Sequence, residues 1–126
     1  MNNIKFRAWD KIDKVMLTVN TYFFYYEYVW LNVDNKKNCL RRKLDEVEIM
    51  QFTGLVDSNN IEIYEGDLIN FFGQTCEIIY EDGAFWVEDV RESSLSDCSD
   101  SLLRDIHTDI QVIGNIYENP DLCSKE

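Results

Sequence analysis

The stretch from Met50 to Phe72, MQFTGLVDSNNIEIYEGDLINFF, constrains most strongly what this chain can fold into. It joins short β-prone runs to turn residues in an order that reads as successive hairpins. Val47, Ile49 and Gln51 alternate with Met50 and Phe52, which predicts a short strand ending near Gly54. Asp57-Ser58-Asn59-Asn60 then supplies side chains that hydrogen-bond their own backbone and tolerate left-handed dihedrals. Ile61 to Tyr64 resumes the alternation, and Glu65-Gly66-Asp67 interrupts it before Leu68 to Phe72. Gly54, Asn59, Asn60, Gly66, Asp67 and, further on, Gly83 are the positions assigned to structural turns.

The same pattern extends in both directions. Ile4 to Trp9 and Val15 to Val19 flank the polar connection Asp10 to Lys14, which predicts a hairpin. Gly73-Gln74 is a candidate two-residue loop, and Asp82-Gly83 within Glu81 to Ala84 is a stronger one, with Phe85 to Val90 closing a meander. Strands joined by turns this short must be antiparallel neighbours, so a small barrel or sandwich is favoured over a helical fold. From Tyr22 to Leu31 the aromatics occupy odd and even positions alike, so a strand there requires burial on both faces. RESSLSDCSDS, residues 91 to 101, reads as a linker with little apolar surface. Ser101 is placed to cap a short helix through Ile106, and Ile110 to Tyr117 reads as a final strand stopped by Asn119-Pro120.

A chain of 126 residues, 45% hydrophobic, has the size of one compact domain or of two small β modules. It buries roughly two-thirds of its unfolded surface, so its stability requires neither a disulfide nor a metal. Cys39, Cys76, Cys98 and Cys123 are scattered without a CxxC pair, and all four are expected as thiols, with Cys76 in the core. No apolar leader opens the chain, and no uncharged run reaches the ~18 residues of a membrane span. The expectation is a cytoplasmic protein without a membrane partner.

Charge is distributed unevenly. Residues 1 to 43 carry nine basic against four acidic side chains, or +5; the remaining 83 carry three against twenty, or −17, which together give the chain's −12. Nucleic-acid affinity comes largely from cations that displace counterions from phosphates, so direct binding by the acidic part is disfavoured.

No catalytic, metal-binding or nucleotide-binding motif is complete, and the expectation is a protein without enzymatic activity or cofactor. Asp105, His107 and Asp109 would share one face of an extended segment and could ligate a metal, but an exposed strand or helix end explains them better. Glu62, Glu65, Asp67, Glu81 and Asp82 lack the regular spacing of a calcium loop and read as a solvated acidic face. Gly54, Gly66, Gly83 and Gly114 are isolated and form no phosphate loop. Two features retain binding potential. Tyr22, Phe24, Tyr26, Tyr28 and Trp30 supply more rings than one small core absorbs, which makes them a candidate interface, with Phe85 and Trp86 as a further aromatic platform. Arg41, Arg42 and Lys43 form a candidate basic patch.

Three blocks, IKFRAWDK at 4 to 11, MQFTGLVDSNNIEIYEGDLI at 50 to 69 and VIGNIYENPDL at 112 to 122, resemble the YopX family of phage and prophage proteins, whose function is largely uncharacterised. Asn59-Asn60 stands where the family commonly has Asn-Gly. The resemblance implies a mainly β fold, with a small antiparallel SH3-like barrel in the C-terminal two-thirds, an N-terminal β region, and at most one or two short helices. It also implies a bacterial host cytoplasm and assembly into homo-oligomers. The expected organisation is a basic, aromatic region over 1–44, an acidic barrel over 45–118 and a tail over 119–126. The expected function is that of a phage accessory protein that binds a host or phage protein through its acidic surface, in the manner of a DNA mimic. The alternative is nucleic-acid binding through the N-terminal basic and aromatic residues.

Overall fold

The computed structural model describes residues 4–23, 25–33, 38–90 and 101–123. It is mainly β, with antiparallel pairing throughout and one short α-helix. Contacts divide the chain into two compact units, residues 3–51 and 52–126.

In the first unit β1 (Phe6–Asp10), β2 (Val15–Phe23), β3 (Tyr28–Val33) and β4 (Asn38–Lys43) form an antiparallel meander. A 3-10 turn over Leu44–Glu46 leads into β5 (Val47–Val56), whose first half returns to pair with β1, Phe6 opposite Gln51 and Asp10 opposite Val47. Ala8, Val29 and Leu31, all fully buried, form the core with Val47. The hairpin expected around Asp10 to Lys14 is present, with Arg7 opposite Thr18 and Asp10 opposite Val15. The aromatic run is not one strand. Its first residues end β2, Tyr25–Glu27 turn, and Tyr28 begins β3, with Phe23 opposite Tyr28 and Tyr22 opposite Val29. Aromatics sit at odd and even positions because the segment folds back on itself.

In the second unit β7 (Asp67–Phe71), β8 (Gln74–Glu81), β9 (Ala84–Asp89) and β10 (Ser101–Leu102) form another meander. Helix α1 (Leu103–Ile106) and a 3-10 turn over His107–Asp109 follow, and β11 (Gln111–Asn115) returns beside β7. The strand order β10-β9-β8-β7-β11 thus repeats the order β4-β3-β2-β1-β5. Among the described residues no ladder closes either sheet into a barrel; a partly open SH3-like arrangement is compatible with this order. Ile63, Ile69, Cys76, Ile78, Val87, Leu103 and Ile110 are each completely buried and form one cluster. Burying each large aliphatic among them is worth about 1.5–3 kcal/mol.

The turns are mostly those expected, with four local corrections. Asp67, expected in a turn, begins β7 and closes the Glu65-Gly66 turn only through its carboxylate, which accepts from the Tyr64 N–H. Gly54, expected to end a strand, lies inside β5 at φ 87°, where the ladder with β6 (Glu62–Tyr64) shifts register between Phe52 and Val56. The Thr53 hydroxyl bridges this bulge, donating to the Ile63 carbonyl at 2.7 Å and accepting from the Leu55 N–H at 3.2 Å. The β7–β8 loop is Phe72-Gly73, both at positive φ, rather than Gly73-Gln74. Ser101 pairs with Val87 in β10 and does not cap the helix. Asp82-Gly83 forms the two-residue turn between β8 and β9, both residues left-handed as such hairpins require. Cys76 is disulfide-bonded, and neither Cys39 nor Cys123 is its partner, since both are free; four thiols is therefore not the structure's arrangement.

Asp57 anchors the central motif. Its carboxylate, almost fully buried, accepts from the N–H groups of Asn59 at 2.8 Å and Ile61 at 2.9 Å on one oxygen, and from Val112 at 2.8 Å on the other. Asn60 takes the left-handed φ of 68°. One side chain therefore closes the turn and ties it to β11. Asp57→Ala leaves three part-buried N–H groups without their acceptor and is expected to cost about 2 kcal/mol, within the range of about 1–3 for an unmet group, because water reaches those of exposed Asn59 and Ile61. Asp57→Asn presents a donor to one of those N–H groups and is expected to destabilise less. Urea unfolding of the three proteins, read as a midpoint shift at unchanged slope, checks this.

Candidate functional site

Two places gather chemistry: an aromatic and cationic cleft in the first unit, and a carboxylate cluster in the second.

The folded-back aromatic segment builds the cleft. Phe23 and Tyr28 face each other across the hairpin at 5.3 Å between centroids, Tyr26 stacks towards Tyr28 at 6.3 Å, and Tyr25 meets Tyr26 edge-on at 5.2 Å. Glu27, at φ 60°, makes the reversal, and its carbonyl accepts from the Leu44 N–H at 3.0 Å. Arg41, cross-strand from Trp30, places its guanidinium 5.1 Å from the centre of the Tyr28 ring. Such a contact is worth about 0.5–1 kcal/mol at an exposed site. The resulting cleft, about 350 Å3, is bounded by Tyr26, Tyr28, Arg41, Lys43, Leu44 and Asp45.

The expected interface residues do not form one surface. Cross-strand partners share a face, so Tyr22, opposite buried Val29, lies on the face away from Tyr28 and Trp30. Tyr26 is 65% exposed, Tyr22 38%, and Tyr28 and Trp30 are half-buried, while Phe24 lies outside the described residues. Tyr25, outside the expected interface set, is the most exposed of the run's described residues at 85%.

The basic patch also divides. Residues along a strand alternate faces, so Arg41 and Lys43 point outward while Arg42 turns the other way. Arg42 Nε donates to the buried Asp10 carboxylate at 2.9 Å, and its Nη2 reaches Asp13 at 3.2 Å. The hydrogen bond to Asp10 is the main cause that raises the Arg42 pKa above its ordinary value. The same Asp10 oxygen accepts from the Ile12 N–H at 3.1 Å, while Oδ2 is buried without a hydrogen bond. Arg42 is therefore a structural strut, and the cations available to a partner here are Arg41 and Lys43.

In the second unit the carboxylates named from sequence do not gather as one group. Asp67 is buried, accepting from the Tyr64 N–H at 2.7 Å, and Glu62, Glu81 and Asp82 are exposed. The cluster forms elsewhere. Glu77 on β8 lies directly opposite Glu88 on β9. Burial, followed by the charges of Glu88 and Glu65, pushes the Glu77 pKa above its ordinary value. Burial, then Glu77 and Asp121, raises the Cys123 thiol as well. A sequence signal for the Glu pair existed, since a two-residue Asp82-Gly83 turn fixes the register and counting outward from it opposes 77 to 88.

Asp105, His107 and Asp109 do not share a strand face, because the segment is helical: α1 runs into the His107–Asp109 turn. His107 Nδ1 lies 2.7 Å from the Val56 carbonyl; since that oxygen only accepts, Nδ1 carries the proton. Among the described residues no group of three or more His, Cys, Asp or Glu is arranged to hold a metal ion. Nor is any helix among them long and apolar enough to cross a membrane.

Glu77 gives a test with a defined sign. Its raised pKa means the folded state favours the protonated form, so the strain is absent below the ordinary value of 4.5 and appears as pH rises through the folded pKa. Glu77→Gln is expected to stabilise the protein at neutral pH by about 0.5 kcal/mol, the scale of a cross-strand charge pair. The gain disappears when unfolding is measured well below the ordinary carboxylate pKa.

No curated protein sequence matches this chain. Among solved structures, the chain is similar to protein EF1440 from Enterococcus faecalis, with 29% identity, a TM-score of 0.67, and coverage of 98% of this chain and 100% of that one. It is also similar to protein yopX from Bacillus subtilis, with 18% identity, a TM-score of 0.65, and coverage of 100% and 99%. The latter likeness bears on fold alone. A family model described as YopX protein matches residues 5–124. Matched over residues 5–124 of its 126, this chain belongs to the YopX family.

Proposed function

We propose that this protein is a phage or prophage accessory protein of the bacterial cytoplasm that acts without catalysis, its C-terminal unit binding a basic host or phage protein. One observation supports the reading above the others: residues 52–126 carry seventeen acidic and three basic side chains, a net −14, against +2 for residues 3–51. Part of that acidity is structural, since Asp57, Asp67 and Asp89 are buried. The exposed remainder includes Glu88, Glu81, Asp82 and Asp105, and Glu77 and Glu88 face each other with no ion pair to either among the described residues. Like charges held opposite one another destabilise the isolated protein, and a cationic partner relieves that repulsion. Carboxylates in this role stand in for DNA phosphates. Exposed Tyr25, which does not line the cleft, supplies contact area for homo-oligomer assembly. The alternative of nucleic-acid binding through the first unit is weakened by the engagement of Arg42 with Asp10 and Asp13.

The test is capture from bacterial lysate on immobilised protein, at low salt, followed by mass spectrometry. The expected catch is enriched in basic, DNA-binding proteins, released as rising salt shortens the Debye length below about 8 Å and displaced by added duplex DNA. Glu77→Gln combined with Glu88→Gln is expected to reduce capture severalfold. A catch without basic proteins, or one indifferent to salt and to the double substitution, sinks the proposal.

A further inference from the structure

The two units carry a concave site at the same point of their repeated strand order. In the first, the cleft lies among the turn joining strands two and three, the start of strand three, the end of strand four and the 3-10 turn that follows. In the second, a more apolar groove of about 520 Å3 is lined at the equivalent places: Gly83 in the turn, Phe85 and Trp86 on strand three, Leu102 on strand four, Arg104 on the helix after it. Each site combines a ring at the start of the third strand with an arginine in the second half of the fourth strand or just beyond it.

We infer that the cleft of Tyr26, Tyr28, Arg41 and Lys43 is a binding site for a single carboxylate of an extended peptide, with an apolar neighbour of that carboxylate seated on Tyr26 and Leu44. The Arg41 guanidinium is positioned against the Tyr28 ring, which orders it. A guanidinium held over a ring at this distance keeps N–H groups available, and their planar fork matches a carboxylate in bidentate fashion. Arg41 and Lys43 make no ion pair among the described residues, so the cleft holds two cations without a fixed counter-charge. Tyr26, 65% exposed, and half-buried Leu44 supply the apolar wall.

Two acids that also line the cleft, Glu27 and Asp45, decide between ligand classes. A nucleic-acid strand brings closely spaced phosphates, and the carboxylates lining the same cleft repel them. One carboxylate placed between Arg41 and Lys43 avoids them, while Glu27 and Asp45 can accept from the N–H groups of the same peptide. Arg42 cannot extend the cationic track, being held by Asp10 and Asp13. This site lies in the other unit from the acidic face proposed above, and either can fail without the other.

The test is an NMR titration of the full-length protein, following the Arg41 Nε–H signal and the amides of Tyr26 and Leu44. Four probes separate the outcomes: a capped pentapeptide with one glutamate beside a leucine, its glutamine counterpart, that counterpart with a free C-terminal carboxylate, and a thymidine oligonucleotide. The expected result is saturable shifts with one or both carboxylate peptides, showing whether side chain or terminus is the source, and about tenfold weaker binding of the capped glutamine peptide. Arg41→Ala is expected to lose about tenfold in affinity, read at Tyr26 and Leu44, while Arg104→Ala leaves it unchanged. Absence of saturable shifts, equal binding of the glutamine peptide, or tighter binding of the oligonucleotide at the same signals overturns the inference.

Discussion

Buried carboxylates and amides that accept main-chain N–H groups hold the turns on which both sheets depend. Asp57 closes the central turn and fastens it to β11, Asp67 receives the Tyr64 N–H, and Asp10 receives that of Ile12. Asn115 completes the set at the chain's end, its Oδ1 accepting from Tyr117 and Glu118 while its own N–H donates to Asn119 Oδ1. Short strands cannot fix register by length, so the turns must do it. The closeness of this packing is visible at Gly114, where any Cβ would overlap the Asn119 side chain.

These bonds change the meaning of the charge. An acidic composition invites a reading as surface chemistry, yet several of its aspartates are interior parts whose role is to satisfy backbone donors. What is left at the surface is less than the count suggests but is more pointed, because Glu77 and Glu88 are held opposite one another by strand register rather than free to move apart. The cations undergo the same sorting. Strand alternation sends Arg42 inward to Asp10 and leaves Arg41 and Lys43 outward, Arg41 lying over the Tyr28 ring.

The repetition of strand order gives the molecule its economy. A four-strand meander, a short helical turn and a fifth strand beside the first occur twice, with no repeat evident in the residues. The first copy is completed by Ala8, Val29, Leu31 and Val47, the second by isoleucines, a valine and a leucine around Cys76. Different side chains satisfy the same geometry because hydrophobic burial is non-directional and asks mainly for volume and alternation. The residues around the equivalent concavities differ, with Arg41 and Lys43 beside tyrosines in one unit and a mostly apolar lining with Arg104 in the other.

The sequence by itself determined what is local. The hairpin after Asp10, the turn at Asp57 to Asn60 and the Asp82-Gly83 loop are written in side chains that bond their own backbone or reach left-handed dihedrals. Tertiary structure decided where that chemistry is silent. Tyr25 to Glu27 and Phe72 turn without the usual residues, Glu27 and Phe72 adopting positive φ because the flanking strands pair and bury their neighbours. That hidden reversal created the aromatic cleft, and a short helix beginning at Leu103 removed the common face that only an extended segment would give Asp105, His107 and Asp109. Which arginine is free and which glutamates collide are likewise properties of strand pairing, since contacts between residues distant in sequence exist only once the sheets have formed.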